Sequence, residues 1–367
     1  MKKLFALLTV TILLLSTCLS GCGYEYATLN LKGTYDKSLE GTTLNVYNWG
    51  EYIPEGEDGS IHLIKEFEKL TGIKVNYSTY VSNETMYSQL KSGGVSYDIV
   101  IPSDYMIGRL VKEDMLQKIN TASLSNYNLI DQKYKGLFFD PNDEYSIPYN
   151  VGMVGVIYNK EAAPDIEHSW NVLWDKKYKE MALNFDNPRD AFMTAQMLLG
   201  LDINSTDKAD WDAAAKKLKD GKANLQGYVM DEVYAKMETG EATVAPYYAG
   251  DYLTMLENNP DLGFFYPVEG TNIFVDSVCI PKNAQNVEAA HLFINFLLEP
   301  DIALEIAECI GYASPNTSVI ENEDYCYYQN EILYPEEEDM PKVSYYYDID
   351  ESVRSYYEGL WSEIKLY

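Results

Sequence analysis

The chain has 367 residues, 28 of them basic and 57 acidic, and a formal charge of −29 at pH 7. That balance excludes nucleic acid as a partner, since a polyanion needs a basic face; it gathers small cations near the surface and so permits a cationic ligand without proving one. The length exceeds what one hydrophobic core usually supports, so two lobes are expected.

Lys2 and Lys3 precede an apolar run from Leu4 to Leu15 that only threonines interrupt, the n- and h-regions of a signal peptide. The run falls short of the ~20 apolar residues of a spanning helix. It leads into Leu19-Ser20-Gly21-Cys22, which resembles a bacterial lipobox. Cleavage before Cys22 removes residues 1-21 and leaves 26 basic against 57 acidic residues, a charge of −31. Because two acyl chains hold stably where one holds marginally, a diacylated Cys22 would anchor an otherwise soluble body.

Residues 22-41 lack a clear period and read as a tether. Thr43 to Asn48 reads as a strand. His62 to Leu70 places Leu63, Ile64, Phe67 and Leu70 on one helical face, with Gly72 set to end the helix before a strand from Ile73 to Tyr77. A helix from Asn83 turns Met86, Tyr87 and Leu90 inward, and Asp98 to Ile101 is a short buried strand closed by Pro102. This alternation predicts an α/β lobe with a largely parallel sheet, whose ligands sit beyond the carboxyl ends of the strands. Ile147 to Asn159 looks like a crossing into the second lobe. There Met181–Phe185 and Ala242–Ala245 read as strands, and Arg189–Leu199, Trp211–Leu218 and Val229–Met237 as helices. Strands at Phe264–Tyr266 and Phe274–Ile280 follow, then helices at Val287–Leu298, Ile302–Glu308 and Ser352–Ile364. Glu336 to Asp339 reads as a solvated acidic turn.

Three groups carry candidate chemistry. Trp49-Gly50-Glu51-Tyr52 ends the first strand, Tyr247-Tyr248-Ala249-Gly250-Asp251 follows the strand at Val244, and Phe274-Val275-Asp276-Ser277 sits at the return crossing. Each sets an aromatic face beside a carboxylate, a pairing suited to ammonium groups because the ring attracts the cation and the acid hydrogen-bonds it. Packing roles for Trp49, and capping or local backbone bonding for Asp251 and Asp276, are the plainer alternatives. Cys279, Cys309 and Cys326 remain after cleavage, an odd number that argues against a complete disulfide framework, although a Cys309–Cys326 bridge stays open. The histidines His62, His168 and His291 show no metal-ligand spacing, and no nucleophile elbow, P-loop or zincin motif occurs. No enzyme, metal or cofactor is therefore called for.

Further motifs stand in order along the chain: Tyr47 to Tyr52, Ser82 to Tyr87, Asp98 to Ser103, Tyr145 to Tyr149, Asp276-Ser277, and Ile310 to Asn316. Together they resemble the spermidine/putrescine-binding proteins of ABC transporters from about residue 43 to the last helix. The resemblance implies a type II periplasmic-binding-protein fold, α/β and two-lobed, closing on a polyamine and docking as a monomer on a permease. It implies lobe 1 from 42-150 plus 276-322 and lobe 2 from 151-275 plus 323-367. By position, Trp49, Tyr52 and Phe274 would flank the methylene chain, and Glu51 and Asp276 would meet amino groups. Ser103, Tyr105 and Tyr312 match further contacts. Tyr248 and Phe274 stand where the family often has tryptophan. In Asp186 to Asp190 the family's spermidine binders use two acids; Asp190 matches one, and Asn187 stands at the other. Asp251 matches the putrescine-preferring members, so putrescine and spermidine both stay open. Two other readings remain: the Tyr247–Tyr248 pair resembles that of ferric-iron-binding proteins of related fold, and paired acids in an aromatic cleft suit a surface glycosidase.

Overall fold

The computed structural model describes residues 29, 31, 35, 37–57 and 59–367; the signal segment and Cys22 lie outside the described residues. In chain order it contains β1 (Thr43–Trp49), α1 (Leu63–Thr71), β2 (Lys74–Tyr80), α2 (Asn83–Ser92), β3 (Ile99–Val100), α3 (Asp104–Lys112), β4 (Leu116–Gln117) and β5 (Ser146–Asn159). Then come β6 (Ala182–Phe185), α4 (Pro188–Leu199), α5 (Lys208–Gly221), β7 (Leu225–Val229), α6 (Glu232–Glu238), β8 (Val244–Tyr248), α7 (Ala249–Asn258), β9 (Leu262–Phe265) and β10 (Thr271–Pro281). The chain closes with α8 (Val287–Leu297), α9 (Pro300–Ile310), α10 (Thr317–Ile320), β11 (Val343–Ser344) and α11 (Glu351–Leu366). No helix among the described residues is long and apolar enough to cross a membrane.

The sheet runs β2-β1-β3-β10-β5-β8-β6-β7. At one end β1 pairs in parallel with β2 and β3; at the other, β6 pairs in parallel with β7 and β8. The long strands β5 and β10 lie antiparallel between them and thread both ends of the fold. Every residue of β10 and the first twelve of β5 are buried, which explains their near-continuous apolar composition: a strand covered on both faces has no solvent side to alternate with.

Local signals set the elements. Leu63, Ile64 and Phe67 bury one face of α1, and Gly72 at φ 74 supplies the left-handed cap. Ser82 caps α2 by accepting the Thr85 amide. Asn187 caps α4 through the Arg189 amide, with Pro188 at the first helical position. Phe67 packs edge-on to Phe293 at 4.9 Å, and Trp211 stacks on Tyr357 at 4.5 Å, which fastens α11 to α5. Fully burying a large apolar side chain contributes about 1.5–3 kcal/mol.

One reading is corrected, and three details are added to the others. Val229 to Met237 is not one helix: Leu225–Val229 forms β7, and α6 starts only at Glu232. The helix α3 after Pro102 carried no expectation, and β2 runs on to Tyr80. Cys309 and Cys326 are free and exposed, and partial desolvation together with neighbouring glutamates pushes the thiols up to about 11 and about 12.

Candidate functional site

The end of β1, the bulge in β10 and the start of α7 converge on one aromatic row. Trp49, Tyr52, Tyr312, Phe274, Tyr248 and Phe185 follow one another with ring centroids 6.3, 5.9, 6.2, 5.6 and 5.5 Å apart. Three of its tyrosines each hold a carboxylate: Tyr52 donates to Asp276, Tyr312 to Asp251, and Tyr248 to Asp190 at 2.7 Å. These acids stand on β10, α7 and α4, so the row joins both ends of the sheet.

The chain enters the row from β1. The Trp49 indole N–H donates to the Ile101 carbonyl at 2.8 Å, so its donor holds β1 to the exit of β3, while the ring also packs on Tyr80 at 4.7 Å. Glu51 takes φ 50 in the following turn and is exposed, apart from the three acids on the row. Tyr52 then turns back inward, where Tyr149 donates to its carbonyl at 2.6 Å.

Asp276 sits where the β10–β5 register shifts, opposite Asn150. An isolated bridge to Ser103 braces its backbone, and only 2 % of the residue is exposed. Its Oδ2 accepts from Tyr52, while Oδ1 is buried with no hydrogen-bond partner among the described residues. Burial pushes the carboxyl up to about 6, and the hydroxyls of Tyr52 and Ser103 limit the rise. A buried acceptor left open is costly unless something fills it.

Asp251, in the first turn of α7, accepts from Tyr234 at 2.6 Å on Oδ1 and from Tyr312 on Oδ2; burial raises it to about 6 against those two phenols. Gly250 is required beside it, since a Cβ there would lie 2.3 Å from the Tyr312 ring. Gly152 in β5 does the same for Phe274, whose ring would come within 2.2 Å of an added Cβ. Asp190 is raised by burial and lowered by Tyr248 and Tyr346. Burial, then the adjoining carboxylates, hold Tyr52, Tyr248 and Tyr312 well above the ordinary phenol value, so each hydroxyl is a donor at neutral pH.

The remaining sequence candidates lie beside the row. Ser103 precedes α3 and accepts from Asn83 at 3.1 Å; Tyr105 donates to Glu84 at 2.9 Å and meets Tyr346 edge-on at 6.1 Å. Sequence reading did not select Tyr234, Tyr346, Glu84 or the fully buried Asp104, whose Oδ2 accepts the Val275 amide. Glu84 lay inside a quoted motif; the two tyrosines are among 33 and carried no local signal. Tyr247 and Tyr248 send their hydroxyls to different acids, Asp231 and Asp190. His291 accepts the Asn120 amide and His168 stacks on Phe265, both packing roles.

An aromatic row carrying three buried acids can strip, hold and neutralise an extended organic cation. Comparison with known proteins agrees with the fold that carries it. Residues 62–333 match the bacterial extracellular solute-binding protein family. A spermidine/putrescine-binding periplasmic protein of Salmonella typhimurium is 36% identical over 325 residues, 88% of this chain and 91% of that protein. Among solved structures, the spermidine/putrescine ABC transporter substrate-binding protein of Streptococcus pneumoniae superposes with a TM-score of 0.75 at 33% identity, covering 89% of this chain and 99% of that one. A lipoprotein of Treponema pallidum superposes at 0.78 with 28% identity, covering 89% and 100%.

Proposed function

The chain belongs to the bacterial extracellular solute-binding protein family, and from that premise we propose that it binds a polyamine outside the cytoplasm and delivers it to an ABC importer. The observation that carries this reading is the open, buried Oδ1 of Asp276 at the head of the aromatic row. An ammonium group that leaves water loses several kcal/mol of solvation, and it recovers that only against a carboxylate and further acceptors. Each ring facing it adds roughly 0.5–2 kcal/mol, the upper figure when water is excluded. The methylene segments between nitrogens lie against Trp49, Tyr52 and Phe274.

Binding is a lobe closure about β5 and β10, because the acids come from opposite ends of the sheet and meet one ligand only when those ends approach. No bond is made or broken, and the protein is not an enzyme. Lipidation of Cys22 tethers the mature chain to the membrane as a monomer, as the lipobox-like Leu19 to Cys22 suggests. Ferric iron is disfavoured by the divided partners of Tyr247 and Tyr248, whose hydroxyls turn to Asp231 and Asp190.

The test is isothermal titration of residues 24–367, unfolded, dialysed and refolded to strip carried ligand, against putrescine and spermidine. Sub-micromolar binding of either near a stoichiometry of one is the expected result. Silence from both, in protein shown to be folded, would refute the polyamine reading.

A further inference from the structure

Two buried side-chain atoms at the head of the row have complementary chemistry and no partner. Nδ2 of Asn150 is a donor and Oδ1 of Asp276 an acceptor, and neither makes a hydrogen bond among the described residues. The residues are 1 % and 2 % exposed. They stand directly opposite in the β5–β10 register, at the point where it shifts, so their Cβ atoms lie on one face about 4.5–5.5 Å apart. The Tyr52 phenol faces both members of the pair. It donates to Oδ2 of Asp276, and while burial and Asp276 raise it, the Asn150 side chain limits the rise.

An ammonium group answers only half of this arrangement. It carries three donors and no acceptor, so it fills Oδ1 and leaves the Asn150 N–H buried, unpaired and facing a cation, which is costly. An O–H group answers all of it. Its oxygen accepts from Nδ2, its hydrogen goes to Oδ1, and its second lone pair is open to an ammonium N–H. Three bonds are the usual number for a buried water. Oδ1 has a further lone pair, so the same ammonium can also meet the carboxylate directly. The ionisable groups facing Asp276 are Tyr52, Tyr80 at the end of β2 and Asp104 at the start of α3, all of them acidic. With no base among them, hydrogen bonds support the ionised carboxylate until a cationic ligand arrives.

Resting on the polyamine reading, we infer that the head of the row is built for a nitrogen and an oxygen together: Asn150 is a positioning residue that holds one O–H group, a captured water or a hydroxyl of the ligand, against Oδ1 of Asp276, and the ligand's ammonium group binds both. Asn150 lies on β5 and Asp276 on β10, so this O–H group also ties the ligand to the two strands that thread both ends of the fold.

The test starts from crystals of the wild-type protein with putrescine and, separately, with a hydroxylated putrescine whose hydroxyl neighbours one amine. Each is expected to show an oxygen within about 3.2 Å of both Nδ2 of Asn150 and Oδ1 of Asp276. With putrescine that oxygen is water; in the second complex the ligand's hydroxyl in its place identifies the ligand as a source, and a retained water identifies solvent. A ligand nitrogen in contact with the Asn150 side chain and no oxygen between, or Asn150 bonded directly to Asp276, would overturn the inference. In solution, Asn150→Leu keeps the bulk and removes the donor. Titration of the variant, checked for folding by circular dichroism, should show putrescine weakened about tenfold at about pH 7.5. The factor should be larger at about pH 5.5, because a carboxyl that has lost this O–H bond holds its proton more tightly. A loss of equal size at both pH values would mark a merely structural role and overturn the inference, as would no loss. If Asn150→Leu does not fold, the wild-type complexes carry the test. Folded wild-type protein that binds neither diamine would instead overturn the polyamine reading, and the inference with it.

Discussion

Asp276 is the residue whose loss should cost most. Replacing it with alanine leaves a buried ammonium with no carboxylate, a loss on the order of 3–5 kcal/mol. Titration of Asp276→Ala should therefore show polyamine affinity reduced by more than about a hundredfold, and a loss below about tenfold would remove Asp276 from the site. The two acids at about 6 also fix the sign of a pH effect. Their values in the folded, ligand-free protein lie above the ordinary 3.8, so that protein holds protons there that the unfolded chain has released. Their contribution to stability is complete below pH 3.8 and is lost as pH rises through about 6. Ligand binding runs the other way, because an ammonium group needs the ionised acids. The rise in melting temperature on adding putrescine should be larger at about pH 7.5 than at about pH 5; an equal rise at both would show that these acids do not pair with the ligand. Trp49, Tyr52, Asp251 and Asp276 could be selected from sequence because an aromatic ring and an acid stand within a few residues of each other. Tyr234 and Tyr346 could not, since each reaches its acid from a distant segment and tyrosine is common throughout this chain.

At the scale of elements, the start of α7 is the most constrained junction. Alanine is a better helix former than glycine by about 1 kcal/mol, so Gly250→Ala would be expected to stabilise an isolated α7. Here the added Cβ meets three Tyr312 ring atoms at 2.3 to 2.8 Å and pushes the ring from Asp251. The variant should stay folded and lose about tenfold or more in affinity; unchanged affinity would mean that the Tyr312–Asp251 contact does not shape the site. The long elements were legible because their signals are local. Gly72, Ser82 and Pro188 mark helix boundaries, and the apolar stretches of β5 and β10, broken at Asn150 and at Asp276-Ser277, mark strands covered on both faces. The strand β7 was not, since Leu225–Val229 carries intermediate burial in four of five positions and lacks both the alternation of a half-exposed strand and the apolar run of a central one. Its pairing with β6 supplies what the sequence pattern omits.

For the whole molecule, charge and closure act at different ranges. The chain carries −29 by composition, and a cationic ligand feels that field before it meets any side chain. Salt screens it: the Debye length falls from about 30 Å at 0.01 M to about 8 Å at 0.15 M. Once the ligand is enclosed, the pairs that hold it are buried and little screened. Surface pairs that span the two ends of the fold, such as Lys112 with Asp348 at 3.2 Å, do respond to salt, but exposed pairs contribute only about 0.2–1 kcal/mol each. Encounter should therefore be salt-sensitive and release nearly indifferent. Stopped-flow tyrosine and tryptophan fluorescence is expected to show the putrescine association rate falling about tenfold over that salt range, with dissociation changing by less than about fivefold, the ceiling that one such surface pair permits. A dissociation rate that rises as steeply as association falls would place the closing force at the exposed pairs instead of the aromatic row, and Lys112→Ala would then be expected to reproduce the high-salt dissociation rate at low salt.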